Sequence, residues 1–259
     1  TEIRGAPARL FTEATGEIVI AGAAGTGKTR AILEWIHRRC ATEPLLRFLI
    51  LRKTLESLKA SALVTYTNQV LYDFDGKQSR LDGVSFYGGS TIRPADFTYA
   101  ETGSKIVVAG MDRLSKVLST EWDGIYVNEI TELTLAEFEQ LSGRIDRPTL
   151  DASRPPSLLL GDCNPDAPNH WIKLRESEGK LKLWSSRHEH NPAMWDNVRQ
   201  EWTPSGLRYM KRLDKLSGVR YQRLRLGKWV AAEGQVYEAW DPDEHLINVN
   251  DLLALGITV

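Results

Sequence analysis

The chain has 259 residues, 42% hydrophobic and 26% charged, enough to bury a full core as one large domain, or one domain with an appendage, without disulfide or metal staples. A net charge of -1 excludes a protein that is basic overall, and no apolar run approaches the roughly 20 residues of a membrane span or the apolar core of a signal peptide. The two cysteines, Cys40 and Cys163, stand outside any metal or redox spacing and read as buried thiols in a reducing, cytoplasmic compartment.

In chain order, the first informative stretch is EIVIAGAAGTGKTRAILEWI, residues 17–36. Within it Gly22, Ala23, Ala24, Gly25, Thr26, Gly27, Lys28 and Thr29 match the P-loop pattern GxxxxGK[ST] in full, behind an apolar strand and ahead of a helical pattern. Glycines there let backbone N–H groups curl around phosphate oxygens, and the helix start adds its positive end. Lys28 is expected to reach the β- and γ-phosphates of ATP, and Thr29 to offer its hydroxyl to Mg²⁺. The helix places Ile32, Leu33, Ile36 and Cys40 on one face and stops near Pro44.

Short apolar strands follow over residues 47–51, 105–110, 124–130, 157–163 and 181–186, separated by helical segments. That alternation predicts an α/β fold with a mostly parallel central sheet covered by helices on both faces. Residues 80–97, RLDGVSFYGGSTIRPADF, read as a hairpin with a Gly-Gly turn. Ligands of such sheets bind beyond the carboxyl ends of the strands, which singles out the polar residues there. Two strand ends compete for the role of the aspartate that helps hold magnesium: IYVNE with Asn128 and Glu129, and LLLGD with Asp162. Glu129 is favoured as the acid that polarises the attacking water, with Asn128 joining Thr29 at the metal through a bound water. Asp162 is then a phosphate sensor on the next strand, with Asn164 also assigned to the nucleotide.

Between Arg208 and Lys228 eight basic residues face Asp214 alone, a local balance of +7 that makes this stretch a candidate phosphate-tracking surface. His170, His188 and His190 lack convergent cysteines or acids at ligand spacing and read as ordinary surface or core histidines.

Four stretches together resemble the ATPase half of phage terminase large subunits, the motors that package viral DNA. They are LILRKTLESLKASALVTY, then IVVAGMDRLSKVLSTEWDGIYVNEITELTLAEFEQLSGRI, then GDCNPDAPNHWI, and YQRLRLGKWVAAEGQVYEAWDPDEHLI. The resemblance covers nearly the whole chain in the family's order. It implies a P-loop NTPase of the ASCE, RecA-like type: an ATPase domain over residues 1–190, a small helical lid or linker subdomain over 191–233, and the start of a connection to a nuclease domain over 234–259. It makes Lys28 and Thr29 the Walker A pair, Glu129 the catalytic glutamate and residues 162–165 the element coupling hydrolysis to movement. Arg52 becomes a strand-end residue that touches nucleotide or DNA, or else a structural salt bridge.

Many members carry an arginine in the P-loop where this chain has Ala24. The resemblance therefore implies a catalytic arginine supplied in trans by a neighbouring subunit, with Arg113 the first choice and Lys116, Arg144 and Arg147 behind it. It further implies translocation of double-stranded DNA into a procapsid, a homo-oligomeric ring that is a pentamer, contacts with a portal protein and a small terminase subunit, and a place in the host cytoplasm at the portal. The sequence ends near LLALGITV, where the family's nuclease begins, so no endonuclease activity is expected from it. Two other readings stay open: a RecA- or helicase-like ATPase on single strands, and a non-hydrolysing nucleotide-binding structural subunit in which Asn128 marks a degraded site.

Overall fold

The computed structural model describes residues 2–112, 117, 120–145 and 157–231, so the stretch 234–259 lies outside the described residues. Nine strands form one sheet: β1 (Gly16–Gly22), β2 (Arg47–Arg52), β3 (Gln78–Ser79), β4 (Val84–Tyr87), β5 (Ala95–Tyr99), β6 (Lys105–Gly110), β7 (Gly124–Asn128), β8 (Leu158–Cys163) and β9 (Lys182–Ser186). Their order is β3-β4-β5-β6-β2-β7-β8-β1-β9. From β6 to β9 every pairing is parallel. The hairpin expected over 80–97 is β4 and β5, and it extends the main sheet, because β5 pairs antiparallel with β6 and sets Phe97 opposite Ile106. This is the mostly parallel P-loop architecture of the RecA-like type, with β8 inserted between the P-loop strand β1 and β7.

The helices are α1 (Leu10–Glu13), α2 (Lys28–Thr42), α3 (Leu55–Lys59), α4 (Ala62–Thr65), α5 (Leu135–Ser142), α6 (Trp171–Ser177), α7 (Pro204–Leu213) and α8 (Gly218–Arg220). Side-chain alternation in the central strands divides the core between the two faces of the sheet. Ile18 and Ile20 of β1 join the cluster that holds Ile32, Leu33, Ile36 and Cys40 of α2, the face expected from the sequence. Val19 and Ala21 join the opposite cluster, with Phe138 of α5 and Ile172 of α6. Residues beyond β9 form a two-stranded ribbon, β10 (Trp195–Asp196) and β11 (Glu201–Trp202), and then α7, whose buried Met210 and Leu213 pack with Met194.

β7 stops at Asn128, two residues before the expected end. Glu129 takes φ 52° and ψ 57°, a left-handed conformation uncommon for a side-chain-bearing residue, and this turns the chain out of the sheet.

Candidate active site

The loop between β1 and α2 is built for close approach. A Cβ on Gly22 would lie 2.2 Å from the Ser186 carbonyl oxygen of β9, and one on Gly25, at φ 79°, would strike the Tyr209 ring at 2.5 Å. Lys28 is buried, and its Nζ donates to the carbonyls of Gly22 and Ala23, both at 3.2 Å, and to Asn164 Oδ1 at 3.0 Å. The Thr26 hydroxyl is buried with no hydrogen-bond partner among the described residues. An unpartnered donor inside a loop with this backbone is what an anion cradle presents.

Residues after β9 hold the loop from the other side. Asn191 Nδ2 donates to Gly25 O at 2.8 Å, and His188 Nε2 lies 3.0 Å from Ala24 O. A carbonyl only accepts, so Nε2 carries a proton, and burial lowers the pKa of the His188 ring against the pull of that hydrogen bond. Ala24 N–H donates to Leu224 O at 2.9 Å. Sequence reasoning weighed His188 only as a metal ligand and did not select Asn191, since nothing in RHEHN signals a clamp on a loop some 165 residues earlier.

The strand ends expected to carry chemistry meet here. β7 and β8 are neighbours, with Asn128 and Asp162 in register. Asp162 is fully buried and gathers donors from three directions: the Thr29 hydroxyl to Oδ2, Asn128 Nδ2 at 3.0 Å and Glu129 N–H at 3.1 Å to Oδ1. The Thr29 hydroxyl thus meets the Asp162 carboxylate, and Asn128, which the sequence assigned to a metal-bound water, donates to that same carboxylate. A carboxylate only accepts, which fixes the amide NH₂ toward Asp162. Asn128 Oδ1 is left 3.2 Å from the Ser61 hydroxyl. Thr29 Oγ1 and Asp162 Oδ2 meet as a pair of oxygens, the ligand type that suits a hard divalent cation such as magnesium.

Glu129 is a partly buried acid beside this cluster. Burial first and the charge of Asp162 second push it up to about 7, against the pull of Lys28 and Arg52. A carboxyl poised near neutrality suits a group that must take a proton from water. The shift also has a cost in stability. Between about 4.5, the ordinary value, and about 7, the folded chain keeps a proton that the unfolded chain has lost. Stability therefore falls as pH rises through that window and levels off above it, by on the order of 3 kcal/mol. Glu129→Gln without nucleotide is expected to melt roughly 5 °C or more above the wild type near pH 8, with no such gain near pH 4.5. Equal melting shifts at the two pH values in calorimetry would remove Glu129 as the cause.

Arg52 makes a bidentate ion pair with Glu132, its Nε 2.9 Å from Oε2, and donates to the Ser61 hydroxyl at 3.0 Å. This is the structural salt bridge that the sequence left as one alternative. Asp166, just past the 162–165 segment, pairs with Arg223 at 2.9 Å, and its carbonyl accepts from Val230 N–H. The segment thus touches Lys28 at one end and residues 223–230 at the other. Of the candidate trans-acting cations, Arg144 is exposed after α5, whereas Arg113, Lys116 and Arg147 lie outside the described residues. His170 caps α6, its Nδ1 accepting from Ile172 N–H at 3.3 Å.

The fold and this loop define a P-loop protein of the RecA-like type. Known structures with the same fold are large terminases of phages. That of a thermophilic bacteriophage matches with a TM-score of 0.67 over 95% of this chain at 20% identity, and the match covers 58% of that protein's chain. The chain thus spans less than two thirds of that relative, which has also been solved with ADP and with ATP-γ-S. The ATPase domain of the Thermus phage P74-26 large terminase matches with a TM-score of 0.56 at 11% identity, over 88% of this chain and 94% of that one. No family model and no curated protein matches the sequence.

Proposed function

We propose that the chain is the ATPase portion of a phage DNA-packaging terminase, which hydrolyses ATP to drive double-stranded DNA into a procapsid. One observation carries the reading: on the terminase ATPase fold, Lys28, Thr29, Asp162 and Glu129 converge at the carboxyl ends of β1, β7 and β8. The P-loop N–H groups and Lys28 bind the phosphates. The nucleoside fits the adjoining cavity of about 410 Å³, lined by Thr26, Gly27, Arg30, Gln69 and Asn191 together with residues near the N-terminus. Thr29 would hold Mg²⁺, which when bound would supply positive charge to the phosphates. Glu129 orients the attacking water and accepts its proton.

The remaining parts of the proposal rest on the resemblance. Residues 1–190 form the ATPase domain, 191–233 the lid or linker, and 234–259 the connection toward a nuclease domain. Subunits assemble as a pentameric ring at the portal in the host cytoplasm, with a small terminase subunit, and Arg113 acts across the subunit boundary. DNA lies along the 208–228 stretch, where Arg208, Lys211, Arg212, Lys215, Arg220 and Lys228 are exposed. Such a surface tracks phosphates, so binding is expected to ignore sequence and weaken steeply with salt.

The test is Mg²⁺-dependent ATP turnover by the chain, alone and with duplex or single-stranded DNA, at protein concentrations that allow rings to form. Turnover raised by duplex DNA is expected. Stronger stimulation by single strands would favour a RecA-like enzyme, and nucleotide binding without turnover under any of these conditions would favour a structural subunit.

A further inference from the structure

We infer that the carboxylate that organises magnesium sits on β8 and not on β7: Asp162 supplies the metal-facing charge at Thr29, and Asn128 is the neutral group that orients it. The inference rests on the ATP-site reading above and assigns the metal within that site.

Three observations carry it. The Thr29 hydroxyl, the metal ligand that the P-loop itself supplies, donates to Asp162 Oδ2. No carboxylate is available at position 128, and the amide there turns its NH₂ to Asp162 Oδ1 at 3.0 Å while its own Oδ1 accepts from the Ser61 hydroxyl at 3.2 Å, so the side it shows Asp162 is a donor and not a ligating oxygen. Asp162 is 0% exposed and has no salt-bridge partner within 4.0 Å among the described residues. Arg52 acts on this carboxylate electrostatically without forming an ion pair with it, so its oxygens are held directly only by neutral donors, and a divalent cation beside Thr29 would give it the direct positive partner it lacks.

The exchange also explains why the pair is Asn and Asp rather than two acids. Asn128 and Asp162 are register partners on adjacent strands, about 5 Å apart. Two carboxylates at that separation would repel each other and, with Glu129 beside them, would put three acids around one cation. One acid and one amide leave two acids there instead of three, fix the direction of the Asp162 carboxylate by a hydrogen bond, and leave the Glu129 side chain free of any metal-holding role. Glu129 is bound into the same unit through its backbone N–H on Asp162 Oδ1, so the water-activating residue and the metal-organising residue share one anchor.

The test measures ADP affinity by calorimetry with Mg²⁺ and with chelator, a readout independent of turnover, together with Mn²⁺ binding to the ADP complex. Four proteins are compared: wild type, Asp162→Asn, Asn128→Ala and the reciprocal double variant Asn128→Asp/Asp162→Asn. Asp162→Asn is expected to lose roughly 10–100-fold of the metal-dependent part of ADP affinity, with little change in chelator. The double variant returns a carboxylate to the pair and is expected to recover most of the loss. Asn128→Ala should cost less than Asp162→Asn, about 10-fold, the low end for a residue that only orients a ligand.

Full metal dependence in Asp162→Asn, or its complete loss in Asn128→Ala, would overturn the assignment. Should Asp162→Asn fail to fold, Asn128→Ala alone decides between the two residues. Failure of the wild type to bind ADP in either condition would instead overturn the ATP-site reading itself, and the assignment with it.

Discussion

Glu129→Gln is expected to bind ATP with Mg²⁺ about as tightly as the wild type and to lose roughly 10²–10⁴-fold in turnover, the usual contribution of a positioned general base. The substitution keeps the side chain's size, and the backbone N–H that donates to Asp162 is untouched. What disappears is the ability to take a proton. The acid is suited to that task because burial and Asp162 hold it near neutrality, whereas an exposed glutamate would be ionised and a poor base. Binding by calorimetry and turnover by phosphate release separate the two effects. Normal turnover in Glu129→Gln would remove this residue from the chemistry and leave the water to be activated elsewhere.

Lys28→Ala is expected to weaken nucleotide binding by roughly 10–100-fold, the worth of one or two charge-assisted hydrogen bonds to phosphate, and to abolish measurable turnover. Without nucleotide, the ammonium is satisfied by the Gly22 and Ala23 carbonyls and by Asn164 Oδ1. The truncation therefore also strands two buried carbonyls and the half-buried Asn164 Oδ1, and a lower melting temperature should accompany the loss of affinity. Lys28→Arg is not expected to rescue it, because a planar fork does not fit a pocket shaped around a compact charge. Unchanged ADP affinity in Lys28→Ala would sink the phosphate-cradle assignment.

What the sequence made legible was local. The P-loop is a contiguous motif whose glycines, lysine and threonine act within a few residues of one another, so its spacing carries its geometry. The central strands were visible as apolar runs because both sheet faces are covered, as the wholly buried β7 and β8 show. Contacts made across the chain were hidden. Thr29 and Asp162 are 133 residues apart, and no periodicity couples them. The sequence showed both strand ends, Asn128-Glu129 and Asp162, but not which of them faces Thr29, because that depends on how β1, β7 and β8 lie side by side. The early end of β7 was hidden as well, since Glu129 leaves the sheet by a backbone conformation that composition does not forecast. Ser61, Asn191 and His188 act as second partners to residues already chosen, and such roles have no pattern of their own.

The bond from Ala24 N–H to Leu224 O has a mechanical meaning. Tyr209 lies against Gly25, and Asp166, next to the Lys28 partner Asn164, is tied to Arg223 and Val230. The loop and the end of β8 are thus stitched to residues 209–230 from opposite sides. Neither can shift without breaking a stitch or dragging that stretch along. A shift of the loop is thus passed by direct contacts to the stretch whose basic residues run from Arg208 on α7 to Lys228.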